Sequence, residues 1–397
     1  MAVESTISKI SFFCIVFVLT AADKLQIRVL SFTFGIFKIA VMTNLQDQEG
    51  KIKIGITCGD INGIGLEVIM KTFLDNRMHQ VCTPVIYASS KLVSYQRKLL
   101  NFAEFNYNTV RSGNDVILRK TNVINCWEEE IPVDWGKPSE LSGKYALRSL
   151  QAAVKDLKEN KIDALVTAPI NKRTIQSSEF NFPGHTEYFA SLYNVKEYLM
   201  FLVSDNLRVA TVSGHVPIRN LSADITTEKI LSKIRIMNQS LKRDFNIRKP
   251  KLAVLGLNPH AGDDGLLGSE EKEIISPAVK KAFDENLFVY GPYSADGFFG
   301  SGSYKKFDAV LGMYHDQGLI PFKALSFTSG VNFTAGLPIV RTSPDHGTAY
   351  DIAGKGIASE DSLREAIYAA CDILSKRLEY DEINASPLAF SKQGRDQ

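Results

Sequence analysis

Residues 51–88 read KIKIGITCGDINGIGLEVIMKTFLDNRMHQVCTPVIYA and contain the pattern that sets the fold class. A short apolar run over residues 51–58 leads into a glycine-rich turn, an amphipathic stretch over residues 65–75 and a second apolar run over residues 82–88. A strand, a helix and a second strand in this order are typical of a βαβ unit, whose strands lie parallel in one sheet. The stretch therefore predicts an α/β fold with a largely parallel sheet.

The same alternation continues through the rest of the chain. Residues 104–140 show no regular pattern, and no repeat or flexible linker marks a domain boundary. We therefore expect two lobes that share a cleft, and not two separate domains. Further strand-like runs occupy residues 163–169, 199–204, 207–214, 251–258 and 307–314, and helix-like runs occupy residues 143–160, 226–245, 269–286 and 362–382.

The composition narrows the class of protein. The 397 residues are 45% hydrophobic and 23% charged, which are the proportions of a folded globular protein and not of a disordered chain. A formal net charge of +2 is too small for a general attraction to nucleic acid or to an anionic membrane, so we expect neither partner. The five cysteines are scattered and include no CxxC pair, which indicates a reducing compartment, and we expect a cytoplasmic protein.

Three of the six histidines follow strand-like runs at the point where each run ends. They are His215, His260 and His315. Ligands bind at the carboxyl ends of parallel strands, so three imidazoles there can hold one divalent metal ion and leave positions open for substrate. A single histidine at such a place more often caps a strand, but three together favour a metal site. Imidazole suits Zn, Co, Ni and Fe(II) alike.

A second group of residues suits the binding of anions. Residues 182–187, FPGHTE, predict a helix start with Thr186 as its N-cap, and free N–H groups at a helix start attract an anion. An ordinary cap is the equally favoured alternative. Polar and cationic side chains follow other strand-like runs, and as a set near the metal they suit a small substrate with phosphate and carboxylate groups. They are Asn171, Lys172, Lys323, Asn332 and Arg341.

Six motifs resemble those of the 4-hydroxythreonine-4-phosphate dehydrogenase (PdxA) family, in the family's order and over roughly residues 50–385. They are GDINGIGLE (59–67), TAPINK (167–172), PGHTEYFA (183–190), GLNPHAGDDG (256–265), MYHDQGLIPFK (313–323) and GLPIVRTSPDHGTAYDIAGKG (336–356). The last is also similar to a loop of isocitrate and isopropylmalate dehydrogenases that holds the adenosine side of the nicotinamide cofactor. The first departs from the family pattern, because Ile61 and Leu66 stand where prolines are usual.

The resemblance implies roles for individual residues. It implies that His215, His260 and His315 are the metal ligands, in agreement with their positions after strand-like runs. It implies substrate contacts for His185, Thr186, Lys323, Asn332 and Arg341, and cofactor contacts for Asp345, His346, Gly347, Thr348, Asp351 and Gly354. A general base is also needed, for which Asp316 and Lys172 are the candidates, while Asp263, Asp264 and Asp296 are candidates to orient the metal ligands.

The implied activity is oxidation of 4-phosphooxy-L-threonine by NAD to a β-keto acid. This acid loses carbon dioxide to give 3-amino-2-oxopropyl phosphate, in pyridoxal 5′-phosphate (vitamin B6) biosynthesis. We expect NAD and not NADP, because residues 345–356 contain no arginine pair for a 2′-phosphate, and we expect Zn, Mg or Co as the metal. Two alternatives stay open. One is a dehydrogenase of a phosphorylated sugar acid, threonate or erythronate 4-phosphate, and the other is a non-catalytic sensor of a phosphorylated metabolite.

The resemblance also implies an architecture. We expect two α/β/α lobes with largely parallel sheets on either side of a central active-site cleft, as in isocitrate and isopropylmalate dehydrogenases. One lobe would comprise about residues 50–180 plus 305–390, and the other about residues 181–304. The family further implies a homodimer whose interface helps to form the active site.

Residues 1–41 match nothing in this family and differ in composition from the rest of the chain. Residues 10–22, ISFFCIVFVLTAA, carry no charge over a length that suits the core of a secretory signal, and they fall short of the roughly 20 residues of a membrane-spanning helix. The alternative is that Met42 begins the working protein. We favour Met42, because a cytoplasmic enzyme that depends on a cofactor has no use for a secretory signal.

Overall fold

The computed structural model describes residues 52–326 and 329–385, so residues 1–41 and the expected start at Met42 lie outside the described part. Twelve strands form one sheet. Each of the seven strand-like runs of the sequence contains one of them. The strands are β1 (Lys53–Thr57), β2 (Thr83–Ala88), β3 (Asn108–Val110), β4 (Asn122–Asn125), β5 (Ala164–Thr167), β6 (Leu199–Val203), β7 (Arg208–Thr211), β8 (Lys251–Leu255), β9 (Phe288–Tyr293), β10 (Ala309–Gly312), β11 (Val331–Ala335) and β12 (Arg341–Pro344).

The helices also follow the sequence pattern, with additions. The long amphipathic runs form α1, α4, α7, α8 and α11 in the numbering below, and a π-helical turn, Glu271–Ile275, precedes α8. The helices are α1 (Gly65–Leu74), α2 (Met78–Val81), α3 (Ser90–Leu99), α4 (Glu140–Lys158), α5 (His185–Leu192), α6 (Leu221–Asp224), α7 (Thr227–Arg243), α8 (Ser276–Asp284), α9 (Ala295–Gly300), α10 (His315–Leu325) and α11 (Asp361–Ala385).

The sheet consists of two parallel groups that run in opposite directions. Its order is β3-β4-β2-β1-β5-β12-β11-β6-β7-β10-β8-β9. The first six strands are mutually parallel, and so are the last four. Between them, β11 pairs antiparallel with β12 and with β6, and β6 pairs antiparallel with β7. The predicted α/β fold with a largely parallel sheet is confirmed, while the division into two lobes with the stated bounds stays a prediction.

The two faces of the sheet are covered differently. On one face, α1, α7 and α11 pack on a continuous core that includes Ile56, Phe201 and Phe333. On the other face the core is in two patches. The first lies under α4 and α5 and contains Leu165, and the second includes residues of α10 and contains Leu202. The gap between these patches lies over the antiparallel centre of the sheet.

Five strands are absent from the sequence prediction, namely β3, β4, β9, β11 and β12. The expectation of irregular structure over residues 104–140 is wrong in part, because β3 and β4 lie there and extend the sheet at its edge. Polar residues interrupt β11 (VNFTA) and make up most of β12 (RTSP), so neither gives the continuous apolar run that marks the predicted strands. Their place in the sheet is decided by pairing with strands that are distant in sequence.

The described residues contain no helix that is both long enough and apolar enough to span a membrane.

A buried ion pair joins the two longest helices that cover the continuous core. Asp244, at the end of α7, accepts a hydrogen bond from Arg377 Nε of α11 at 2.5 Å and a second from Ser240 Oγ at 2.6 Å. The side chains of Arg377 and Asp244 are only 6% and 3% exposed. Removal of one partner would leave the other charge buried without compensation.

We predict that Arg377→Met lowers the free energy of unfolding by about 3–5 kcal/mol, because Asp244 then remains as an unpaired buried carboxylate. The double variant Arg377→Met/Asp244→Leu should recover most of this loss. Chemical denaturation measures both changes. As a control, Arg364→Met breaks the ion pair with Glu360, whose side chains are more exposed than those of Arg377 and Asp244, and it should change stability by less than about 1 kcal/mol. A single Arg377 variant as stable as the wild type would contradict the prediction.

Candidate active site

A cleft of about 600 Å³ opens over the antiparallel centre of the sheet. Its lining includes Leu202 and Leu319 from one core patch of this face, and Ile170 and Tyr198, which pack against the other. The cleft therefore occupies the gap between the two patches. Of the residues that the sequence predicts as functional, it is lined by Lys172, His185, Thr186, His215, His315, Lys323, Asn332, Arg341, Asp345, His346 and Gly347.

Strand register explains why several polar side chains meet here. Asn332 of β11 pairs with Leu202 of β6 on one side and with Ser343 of β12 on the other. Paired residues point to the same face of a sheet, and all three line the cleft. The expectation that Asn332 and Arg341 follow strand ends is therefore wrong: both lie within strands, and the alternation of side chains turns them to the cleft face.

Arg341 is a buried cation without an ion-pair partner among the described residues. It is 3% exposed, and its Nε donates to Thr167 Oγ1 at 3.1 Å. Burial lowers the pKa of the guanidinium from its usual value to about 9, and the charge of Glu187 partly opposes this shift. Arg341 therefore remains charged at pH 7. A buried charge that hydrogen bonds only to neutral groups indicates a binding site for an anion.

Three polar atoms of other side chains in the cleft have no hydrogen-bond partner within the described part of the chain. They are His185 Nε2, Asn332 Oδ1 and His346 Nε2, all buried. Burial lowers the pKa of His185 well below its usual value, and Arg341 and Lys172 lower it further, so its imidazole is neutral at pH 7. Buried polar atoms are rarely left unsatisfied in folded proteins, which indicates that a bound ligand provides their partners.

The helix start near Thr186 differs in detail from the sequence prediction. α5 begins at His185 with Gly184 as its N-cap, and Gly184 has no side chain to accept a hydrogen bond. The prediction of Thr186 as N-cap is therefore wrong. Thr186 is 9% exposed, its hydroxyl lies 3.5 Å from that of Thr334, and it lines the cleft.

Two of the three predicted metal ligands lie close together. β7, β10 and β8 are adjacent and parallel, and His215, His315 and His260 follow them in that order. The rings of His215 and His315 have centroids 5.9 Å apart. His315 Nδ1 lies 2.7 Å from Asp316 Oδ1, an arrangement that leaves Nε2 available to a metal ion. These two imidazoles fit two positions of a metal site.

His260 lies apart from this pair. It is exposed in the turn Pro259–Gly265 and does not line the cleft. Among the described residues no group of three His, Cys, Asp or Glu side chains is arranged to hold a metal ion. The third ligand therefore stays a prediction.

The two candidate bases have different positions. Lys172 lines the cleft, and its charge lowers the pKa of both His185 and His215. Asp316 is exposed, contacts His315 and does not line the cleft. Lys172 is therefore better placed to meet a substrate, whereas Asp316 is placed to orient an imidazole.

The predicted cofactor loop divides into two parts. Asp345, His346 and Gly347 line the cleft, and Lys323 Nζ lies 3.4 Å from Asp345 Oδ2. The remaining residues, Thr348, Asp351 and Gly354, lie outside the lining. The carbonyl of Thr348 instead accepts a hydrogen bond from Ile64 N–H at 3.1 Å, which ties the loop to the first glycine-rich turn.

Comparison with known proteins agrees with the resemblance of the motifs. A sequence model of the family described as "Pyridoxal phosphate biosynthetic protein PdxA" matches residues 80–370. The chain belongs to the PdxA family. A relative from Bacteroides thetaiotaomicron named 4-hydroxythreonine-4-phosphate dehydrogenase is 53% identical over 342 residues, which cover 86% of this chain and 94% of that protein.

Other relatives of the PdxA family extend the comparison. The crystal structure of 4-hydroxythreonine-4-phosphate dehydrogenase from Klebsiella pneumoniae has a TM-score of 0.70 and 32% identity, and it covers 82% of this chain and 100% of its own. A relative from Oceanobacillus iheyensis, whose name places it among D-threonate 4-phosphate dehydrogenases, is 39% identical over 81% of this chain and 97% of its own length.

The cleft of this PdxA protein also contains charges that the sequence prediction missed. They are Lys196, Lys229, Lys233 and Glu187. Lys233 Nζ donates to the carbonyl of Tyr198 at 2.7 Å, and burial lowers its pKa. Lys229 and Lys233 are four residues apart, which predicts that they lie on the same face of α7. The neighbouring sequence does not indicate that this face packs on β6.

We predict that Arg341→Gln weakens the binding of inorganic phosphate about ten- to hundredfold, because one charge-assisted hydrogen bond contributes about 1.5–3 kcal/mol. The melting temperature of the ligand-free protein should not fall, since the substitution removes an uncompensated buried charge. Calorimetry and thermal unfolding measure the two effects.

Lys323→Gln is the matched control for the Arg341 variant. Lys323 is more exposed and already pairs with Asp345, so its loss should weaken phosphate binding less. Equal phosphate affinity in Arg341→Gln and the wild type would show that Arg341 is not an anion site.

Proposed function

We propose that this protein is an NAD-dependent 4-hydroxythreonine-4-phosphate dehydrogenase. It oxidises the secondary alcohol of 4-phosphooxy-L-threonine and transfers the hydride to NAD, and the resulting β-keto acid loses carbon dioxide. The names of its relatives support an oxidoreductase of this kind. The highest identity among the named relatives cited above, 53%, is to a protein with this activity in its name.

The observation that carries the proposal is the charge of the cleft around the buried Arg341. The lining contains the cations Lys172, Lys196, Lys229, Lys233, Lys323 and Arg341, but only two carboxylates, Glu187 and Asp345. This excess of positive charge suits a substrate that carries a phosphate and a carboxylate. Substrate binding supplies the negative charge that the free protein lacks around Arg341.

Different residues of the cleft can bind different groups of the substrate. Arg341 and Lys323 bind the anionic groups of the substrate, while Thr186 and Asn332 offer neutral hydrogen-bonding groups beside them. The neutral imidazole of His185 can either donate or accept. Lys172 is our candidate for the base, because it lies in the cleft beside His185 and His215. Its side chain must first lose its own proton, and the neutral amine then takes the proton of the reacting hydroxyl.

The cofactor and the metal are parts of the proposal that the residues of the cleft support. His215 and His315 would hold a divalent ion of Zn, Mg or Co with His260 as the third ligand, and Asp345, His346 and Gly347 would contact NAD. Bound metal lowers the pKa of a coordinated hydroxyl, and the hydride transfer is the chemistry of the nicotinamide. The orphaned Nε2 of His346 supports a ligand on this side of the cleft.

The second candidate substrate is a phosphorylated sugar acid, threonate or erythronate 4-phosphate. The relative from Oceanobacillus iheyensis supports it, since its name specifies D-threonate 4-phosphate. The two substrate classes differ in whether an amine or a hydroxyl stands beside the reacting alcohol. We favour the amino acid, because the relative from Bacteroides thetaiotaomicron that is named for it is 53% identical, whereas the relative named for D-threonate 4-phosphate is 39% identical.

The proposal also includes a homodimer in the cytoplasm. The family resemblance of the motifs supports the homodimer, and the scattered cysteines without a CxxC pair support the cytoplasm. Light scattering of the purified protein and fractionation of cells measure these two properties independently of activity.

We expect NADH formation to be fastest, in kcat/KM, with 4-phosphooxy-L-threonine among a panel that also contains D-threonate and D-erythronate 4-phosphates. NADP should support a lower kcat/KM than NAD. Absorbance of the reduced cofactor measures each rate. A preference for threonate or erythronate 4-phosphate would establish the second candidate, and no turnover of any panel member would refute both dehydrogenase proposals.

We further expect His215→Ala, His260→Ala and His315→Ala each to reduce the metal content of the purified protein, because each removes one imidazole ligand. Elemental analysis by mass spectrometry measures this content. His79→Ala is the matched control, since His79 contacts Thr121 and lies outside the cleft. Unchanged metal content in all three variants would remove the proposed metal site.

A further inference from the structure

Residues 260–264 form one turn of left-handed helix. The φ angles of His260, Ala261, Gly262, Asp263 and Asp264 are 53°, 53°, 82°, 43° and 55°. Four of these five residues carry a Cβ atom, and for such residues the left-handed conformation is unfavourable. Consecutive left-handed residues persist only where the surrounding structure holds them, and such strain is concentrated at functional sites.

Glu271 is the buried group that holds this turn at its start. It is 5% exposed, and its Oε1 accepts hydrogen bonds from the N–H groups of Leu257 and Asn258, both at 2.7 Å. Its Oε2 accepts a third from Asn258 Nδ2 at 3.0 Å. No ion pair of Glu271 occurs among the described residues, so its charge is stabilised by these donors and not by a cation.

The carboxylate of Glu271 also touches the middle of the turn. A Cβ atom at Gly262 would lie 2.7 Å from Glu271 Oε2, so only glycine fits there. Glu271 itself begins the π-helical turn Glu271–Ile275, and π turns inside helices occur frequently at functional sites. Two unusual backbone segments therefore meet at one buried carboxylate.

The end of β8, which leads into the turn, is joined to the His315 segment. Gln317 of α10 accepts a hydrogen bond from Met313 N–H at 2.6 Å, and its Nε2 donates to the carbonyl of Gly256 at 2.6 Å. Gly256 directly precedes Leu257, whose N–H binds Glu271. The segments that carry His315 and His260 are thus connected by a short chain of hydrogen bonds.

We propose that Glu271 is a positioning residue, which holds residues 260–264 in the left-handed turn and so fixes the position of His260. The part that concerns metal binding rests on the proposed function and on its homodimer, since His260 does not line the cleft of its own chain. The claim that Glu271 holds the turn does not depend on the proposed function. Glu271 does not line the cleft, and its hydrogen bonds go to the backbone and to one side chain of the segment that leads into the turn.

The first test is amide hydrogen exchange in Glu271→Gln. Glutamine keeps the size of the side chain, but its NH2 group is a donor. Placed at the position of Oε2, this group cannot accept the hydrogen bond that Asn258 Nδ2 donates to the carboxylate. We expect exchange in a peptide covering residues 256–267 to rise about ten- to hundredfold, with no change in the core of α7. Glu273→Gln makes the same charge change in the same π turn on an exposed side chain and should leave exchange unaltered.

The second test is titration of the metal-free protein with Co²⁺ by calorimetry. Glu271→Gln should weaken Co²⁺ binding ten- to hundredfold, as loss of groups that orient metal ligands does, while Glu273→Gln should not. Ala261→Gly in the Glu271→Gln background should restore part of the affinity, because glycine adopts the left-handed conformation without strain. A general loss of stability would not be rescued by glycine at this one position.

The outcomes separate the two proposals. Unchanged exchange at residues 256–267 in Glu271→Gln would overturn the hold of Glu271 on the turn. Faster exchange with unchanged Co²⁺ affinity would overturn its positioning role. Absence of Co²⁺ binding by the wild type would refute the metal site of the proposed function, and the exchange result would still decide whether Glu271 holds the turn.

Discussion

The antiparallel pairing of β11 with β12 and β6 is the constraint on which the cleft depends. It joins two parallel groups of strands that run in opposite directions. On one face, the alternating side chains of these strands complete a continuous apolar core through Phe201 and Phe333. On the opposite face the same strands present Asn332, Arg341 and Ser343. The helices leave this polar area uncovered, because covering it with apolar side chains would bury polar groups without partners.

The electrostatics of the cleft follow from the same arrangement. Arg341 lies at the centre of the sheet, where it donates hydrogen bonds to hydroxyl groups and not to carboxylates. The charge is therefore unfavourable in the free protein and becomes favourable when an anion binds. The lysines of α7 and of the loops around the cleft add positive charge at its edge. A site of this kind trades stability of the empty state for affinity, as functional sites commonly do.

In the turn that carries His260, it is the backbone conformation that lowers stability. Its left-handed residues are unfavourable, and the contacts that hold them come from a carboxylate that does not line the cleft. Strain held in this way restricts a side chain to few positions, which a flexible loop could not do. The hydrogen bonds of Gln317 extend the restriction to the segment of His315.

The sequence by itself determined the α/β class, the family and eleven of the residues that line the cleft. Its strand-like runs and helical periodicities are local, and so are the motifs that contain His185, His315 and Arg341. Only the tertiary structure decided that β11 lies between β12 and β6, that Lys229 and Lys233 face the cleft, and that His260 lies apart from the other two histidines. These features depend on pairing and packing between residues far apart in the chain, for which short segments of sequence contain no signal.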